Sequence, residues 1–299
     1  MRAALAAGLV LGAALLLSAA SEAPAQDVWI DGTLQLWTSA PKGKQPMFRY
    51  GRDSRVGFIA LLPNDRALVW SYCMYDFPGP SGSRTDRFFY RAPLGKSGPT
   101  AQAGRFYSPF GSPDIPAYDK YVDTSDEAVT ANPLLDAFGD GVGISYTFGR
   151  VETQLAVQNL AVQPDDRVDL FARGEWRRGK WFAGISLYSD TAAPDTRKEA
   201  LACHATYRTP GCVLAGEYLT GKPLGERATA GYLGAQGQWG LWSAFASVTT
   251  YHPKAAPRGE TRKVGVGYRV DPLTTVSLWH ENHLRAPDRT TLSFETSLR

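Results

Sequence analysis

The sequence predicts an all-β chain, a transmembrane antiparallel β-barrel of about sixteen strands, and three observations predict it. Its connections alternate between tight turns and long polar loops, the asymmetry of barrels that cross a membrane. Strand-length runs alternate apolar and polar side chains residue by residue. Beyond the N-terminal segment no stretch is apolar enough for a membrane-spanning helix, so a membrane crossing must use a sheet that satisfies its own backbone groups.

The N-terminal segment comes first. Arg2 is a minimal charged region, Ala3–Leu17 is an apolar run, and Ala23-Pro24-Ala25 is a small-x-small cleavage site. About 15 apolar residues fall short of the roughly 20 that span a bilayer as a helix. Residues 1–25 therefore read as a cleaved signal peptide, and 26–299 as one barrel. Alternating runs of about 7–13 residues bounded by Gly, Pro, Asn and Asp give the strands between Val28 and Arg299. Tight joints fall at Pro63–Arg66, Phe148–Val151, Arg177–Lys180, Arg208–Gly211, Gln236–Trp239 and Val270–Pro272. Longer ones fall at Thr38–Tyr50, Phe77–Asp86, Pro109–Asp140, Val162–Asp166, Asp190–Lys198, Gly221–Glu226, His252–Glu260 and His283–Arg289. Fourteen strands is the alternative, because Phe88–Leu94 and Ala101–Ser108 are short and interrupted by Pro93 and Pro99.

The strand faces repeat one split. Lys263, Gly265, Gly267 and Arg269 oppose Val264, Val266, Tyr268 and Val270. Glu152, Gln154, Ala156 and Gln158 oppose Val151, Thr153, Leu155 and Val157, and Asp169, Arg173, Glu175 and Arg177 oppose Val168, Leu170, Ala172 and Trp176. A lipid face against a wet lumen has this pattern, as does a half-solvated sandwich strand taken alone. The sandwich does not explain loops that are long at one end only. Aromatic residues near strand ends (Trp29, Trp37, Trp176, Trp181, Trp239, Trp242 and Tyr251) suit an interfacial girdle.

Composition narrows the function classes. A net charge of +3 with scattered charges gives no basis for a nucleic-acid partner. Three cysteines in an exported chain leave at least one unpaired. Cys203 and Cys212 flank a turn, but a turn centred there pairs Cys203 with a residue beyond Cys212, which favours free cysteines in the wall over a disulfide.

Ser54-Arg55-Val56-Gly57-Phe58, the strand Ala67–Asp76, the segment Arg87–Gly95 and Gly104-Arg105-Phe106-Tyr107-Ser108-Pro109 come in an order and spacing that resembles the successive strands of Gram-negative general diffusion porins. The resemblance rests on motifs over Val28–Leu160 and on strand rhythm beyond. It implies a sixteen-stranded, usually trimeric outer-membrane barrel in which the loop after the fifth strand folds inward and narrows the lumen. Pro109–Asp140, by far the longest connection here, takes that place. It carries Asp114, Asp119, Asp123, Asp126, Glu127, Asp136 and Asp140 against a single Lys120. The resemblance also implies a basic wall facing this loop, with Arg55, Arg87 and Arg105 in its positions. A third family arginine is replaced by Asp140, and the usual terminal aromatic is absent from Leu298-Arg299.

Rings of Asp and Glu favour cations, so the expected function is passive diffusion of ions and small hydrophilic solutes with a weak cation preference. The pore constriction is assigned to Arg55, Arg87, Arg105, Asp114, Asp119, Asp123, Asp126, Glu127 and Asp140. Outer-membrane lipids and a homotrimer are the expected partners, with no cofactor. The alternatives are a plugged structural or adhesive barrel, and a substrate-specific channel. Hydrolase chemistry is set aside because no Ser sits beside a His on one strand face. His280 and His283, three residues apart in a strand, fall on opposite faces and make a poor metal pair.

Overall fold

The computed structural model describes residues 27–41, 47–50, 55–73, 85–112, 121–123, 128–130, 138–160, 168–192, 197–223, 225–254, 258–284 and 288–298. The expected signal peptide lies outside them. The described residues hold strands and turns and no helix. β1 (Asp27–Pro41), β2 (Met47–Tyr50), β3 (Arg55–Leu62), β4 (Arg66–Cys73), β5 (Thr85–Pro93) and β6 (Thr100–Tyr107) precede a small hairpin, β7 (Tyr121–Asp123) with β8 (Ala128–Thr130). Next come β9 (Phe138–Phe148), β10 (Val151–Leu160), β11 (Asp169–Arg178), β12 (Trp181–Asp190), β13 (Glu199–Thr209) and β14 (Cys212–Lys222). β15 (Ala228–Trp239), β16 (Trp242–Pro253), β17 (Gly259–Arg269), β18 (Thr274–His283) and β19 (Arg289–Leu298) complete the chain.

Apart from the β7–β8 hairpin, all belong to one antiparallel sheet. β3 pairs with β1 over Asp27–Thr33 and β2 pairs with it over Leu36–Ser39, so β2 and β3 are two pieces of one strand and the sheet has sixteen. Each strand pairs with the next, and β1 also pairs with β19 from Gly32↔Leu298 to Pro41↔Arg289. The order of pairings thus returns to its first strand.

Turn chemistry produces the tight joints. Phe148 partners Val151, Arg178 partners Trp181 and Trp239 partners Trp242, each across two residues beginning with glycine. Gly149, Gly179 and Gly240 have φ of 59°, 58° and 59°. Positive φ at the first turn position is the type II′ geometry whose twist matches the flanking strands. Between β3 and β4 the same sense of turn uses Asn64 and Asp65, at φ 63° and 58°, the side chains that best tolerate it.

Two expected boundaries move. The joint expected at Gln236–Trp239 lies at Gly240-Leu241, because Gly237 continues the ladder opposite Ala244. The long joint expected at Thr38–Tyr50 shrinks, since β1 continues to Pro41 and β2 resumes at Met47. Pro93 closes β5 and Pro99 precedes β6, at strand ends where a missing N–H removes no ladder bond; Leu94 N–H donates to Pro99 C=O at 2.7 Å between them. Both short strands survive, which is why the count is sixteen and not fourteen.

The faces alternate as expected. On β17, Thr261 and Lys263 are buried while Val264 and Val266 are 58% and 47% exposed. On β10, Ala156 and Gln158 are buried and Leu155 is 56% exposed. Polar groups such as Ser71, Gln158, Glu175, Glu217 and Thr249 are buried on one face, and large apolar ones such as Ile185, Leu187, Leu233 and Leu278 are exposed on the other. In water this arrangement leaves apolar surface hydrated at about 25 cal/mol per Å²; hydrocarbon surroundings remove that cost. Trp176, Trp181, Trp239 and Trp242 are exposed beside the tight turns, and Trp181–Tyr207 and Trp242–Tyr268 each pack at 4.8 Å between ring centroids. Tyr251 does not join this belt. It is buried in a cluster with Phe171, Tyr188 and Leu219 at the opposite, long-loop ends of the strands. Cys203 lies opposite Tyr218 and Cys212 opposite Thr209, so both thiols are free.

Candidate functional site

Where β6 ends, the chain turns onto the polar face and is fastened to it. Phe106, on that face, begins the path: Gln158 Nε2 donates to its carbonyl at 2.9 Å while Ser108 Oγ donates to Gln158 Oε1 at 2.7 Å. The Phe110 ring is buried edge-on to Phe171 and Tyr188, with centroids at 6.5 and 6.4 Å, and those two rings stack at 5.0 Å. Gly111 N–H donates to Ser186 Oγ at 3.1 Å, and Ser112 N–H donates to the Glu217 carboxylate. In four residues the segment passes from β6 over β11 and β12 to β14. Farther on, the β7–β8 hairpin packs against β16 and β17. β16 is eight strands round from β6, by way of β9 to β15, halfway round sixteen.

The anchors Ser186 and Glu217 were not among the residues singled out from the sequence. Period-two alternation places both on the polar face, but nothing local marks them as partners of a segment 75 and 105 residues away.

The residues of the expected basic wall lie on β3, β5 and β6. Arg55 opens β3, opposite Thr33 of β1 and Cys73 of β4. Arg87 lies on the polar face, its Nε donating to the buried Ser71 Oγ at 3.0 Å. Arg105 and Asp140 correct the expectation. They are register partners, joined by a bidentate pair, Nε to Oδ1 at 3.0 Å and Nη2 to Oδ2 at 2.8 Å. Asp140 alternates with the exposed Val142 and Ile144, and Arg105 is one residue from the polar-face Phe106. Both therefore sit on the apolar face, away from the fastened loop. Asp123 ends β7 opposite Ala128, while Asp114, Asp119, Asp126 and Glu127 lie outside the described residues.

Other charges line the polar face instead. Arg177 donates Nε to Glu175 Oε1 at 2.6 Å and reaches Glu152 Oε2 with Nη2 at 2.9 Å, while Gln154 Nε2 donates to Glu152 Oε1 at 2.6 Å. The Arg177 and Arg208 guanidiniums stand 5.7 and 6.0 Å from the Phe182 ring centre. The Lys263 ammonium lies 5.3 Å from the Phe245 ring and 4.6 Å from Trp279. Near the long loops, Arg289 Nε is 3.2 Å from Glu281 Oε2, and His283 Nδ1 is 3.0 Å from Thr261 Oγ1. His283 is buried and His280 exposed, on opposite faces as their spacing requires. Among the described residues no three His, Cys, Asp or Glu side chains converge as for a metal ion. The arrangement is a polar wall with mixed, mostly paired charge, to which the chain is fastened just after β6.

No protein-family model matches the chain, and no curated protein does. Solved structures do. The in-vitro folded, trimer form of OmpT, an outer membrane protein of Vibrio cholerae, superposes with a TM-score of 0.65 over 92% of this chain and 100% of its own, at 12% identity. An anion-selective porin from Comamonas acidovorans gives 0.64 over 91% and 99%, at 12% identity. A substituted form of the Rh. blastica porin gives 0.63 over 91% and 100%, at 13% identity. The chain has the fold of the Gram-negative porins.

Proposed function

We propose that this chain is an outer-membrane channel for passive diffusion of ions and small hydrophilic solutes, its sheet closed into a transmembrane barrel with the polar face as lumen. The observation that carries the reading is the inverted distribution of side chains, with Glu175, Glu217 and Lys263 buried on one face and Leu155, Leu233 and Val264 exposed on the other. A membrane around the apolar face and water along the polar one satisfy both. The segment from Pro109 to Asp140 is the constriction loop, supported by the attachment of Phe110, Gly111 and Ser112 to the polar face. Cleavage of residues 1–25 delivers the chain to the periplasm, and three copies assemble, a proposal supported by the trimer form of a structural neighbour.

Weak cation preference follows from the loop's seven acids against one lysine. Pairing of Arg105 with Asp140 on the apolar face removes one cation from the proposed wall and one anion from the loop, leaving the loop's excess negative. A plugged barrel is the second reading, favoured by the cluster of Phe106, Phe110, Phe171, Tyr188 and Tyr251 that occupies part of the same face. Single-channel recording of the refolded protein in a planar bilayer under a salt gradient separates them. Discrete steps with a cation-selective reversal potential are expected. Anion selectivity overturns the assigned sign, and a correctly folded barrel without steps overturns the channel.

A further inference from the structure

We infer that the tight-turn ends of β9 to β13 form a binding site for the headgroup of an anionic phospholipid of the phosphatidylglycerol type, with Arg150, Arg178 and Lys180 as its cations. The inference rests on the transmembrane-barrel reading, in which short turns face the periplasm, and adds a partner of defined chemistry at one sector of that rim. All three side chains are exposed. Ladder bonds set their turns side by side, with Arg177 N–H donating to Arg150 C=O at 2.9 Å and Arg208 N–H to Lys180 C=O at 2.8 Å. Hairpin turns two strands apart stand about 10 Å from each other, so long side chains from both can meet one phosphate. Arg adds a fork of N–H donors that fits its oxygens.

Nearby acids do not cancel these charges. Glu152 and Glu175 belong to the polar face and are taken by Arg177, at 2.9 and 2.6 Å. Arg178 alternates with the exposed Trp176 and is the register partner of the exposed Trp181, which places it on the apolar face. On that face the tight-turn halves of β9 to β13 carry no Asp or Glu among the described residues. Other turns are more balanced: Asp65 precedes Arg66 before β4, Asp271 follows Arg269 by two residues before β18, and Gly240-Leu241 is uncharged. The aromatic rings Phe148, Trp176 and Trp181 mark the depth, because exposed rings of this kind sit at headgroup level. Arg and Lys just beyond them lay their stems along apolar surface and hold the charge among the headgroups. Each such cation favours an anionic membrane surface by about fivefold.

Native mass spectrometry of the full folded chain released from detergent micelles, with equal amounts of phosphatidylglycerol and phosphatidylcholine as probes, tests the site. Retention of phosphatidylglycerol over phosphatidylcholine by at least about fivefold is expected, lost when Arg150→Gln, Arg178→Gln and Lys180→Gln are combined and kept in Arg269→Gln. Spin-labelled forms of the two lipids in bilayers around the unmutated protein need no variant. The immobilised fraction is expected to be larger for phosphatidylglycerol, and the excess to vanish at about 1 M salt. No preference in the folded barrel, or one that the combined variant keeps, overturns the headgroup site and leaves the channel reading standing. Failure of the folded chain to insert into bilayers of either lipid overturns the barrel reading beneath it.

Discussion

Phe110 shows how one side chain positions a loop. Its ring meets Phe171 and Tyr188 edge-on, and the two amides that follow are spent on Ser186 and Glu217. Truncating a buried Phe to Ala costs about 3–5 kcal/mol, and here the loss falls on the loop's attachment and not on the sheet ladder. Phe110→Ala is expected to speed hydrogen exchange at the Gly111 and Ser112 amides by at least about a hundredfold while amides in β11 and β12 keep their protection. Asp271, in the turn before β18, is a second local case. It accepts from Leu273 N–H at 2.8 Å, which holds its carboxyl below the usual range. A depressed folded-state value means the contribution is present above the unfolded value and lost as pH falls through the folded one. The Leu273 amide resonance is therefore expected to titrate below the ordinary Asp value of 3.8, and not to titrate in Asp271→Asn. The pairing of Arg105 with Asp140 belongs at this scale too. Their motifs fit a basic wall and an acidic loop, yet each lies one residue out of phase with the polar face, and only the β6–β9 register brings them together.

Along each strand, alternation alone reads correctly. The split between Lys263 and Val264, or Gln154 and Leu155, persists because successive Cβ atoms must point to opposite faces whatever the surroundings. The energetic consequence depends on the solvent on each side. Leu155, near the middle of β10 and 56% exposed, is expected to cost about 2–4 kcal/mol when replaced by Arg in a bilayer, measured by denaturant unfolding from lipid vesicles. Gln154→Arg, one residue away on the polar face, is expected to cost far less; equal costs would place lipid elsewhere. Element ends were harder to read. Gly237 looked like punctuation and is mid-ladder, and Tyr251 looked like a girdle ring and is buried among Tyr188 and Leu219. Composition marks a turn or an aromatic without saying whether a neighbouring strand continues beside it.

At the scale of the whole molecule, the pairing of β1 with β19 matters most. It joins residues near opposite ends of the chain, Leu34 with Thr296 among them. With the native cysteines replaced by serine, the pair Leu34→Cys and Thr296→Cys is expected to form a disulfide under mild oxidation, read as a shift in electrophoretic mobility of the denatured chain that reductant reverses. A lack of cross-link in folded protein would mean that the two edges stay apart. The amino-acid sequence by itself determined the two faces and the tight-turn end, because turn chemistry and period-two alternation act between near neighbours; the choice of sixteen strands over fourteen waited on the pairing of β5 with β6. The attachment of the chain just after β6 and the meeting of particular charges were decided only in the tertiary structure. Ser112 and Glu217 are 105 residues apart and Arg105 and Asp140 are 35 apart, and strand register, summed over every intervening turn, is what brings such residues within hydrogen-bonding reach.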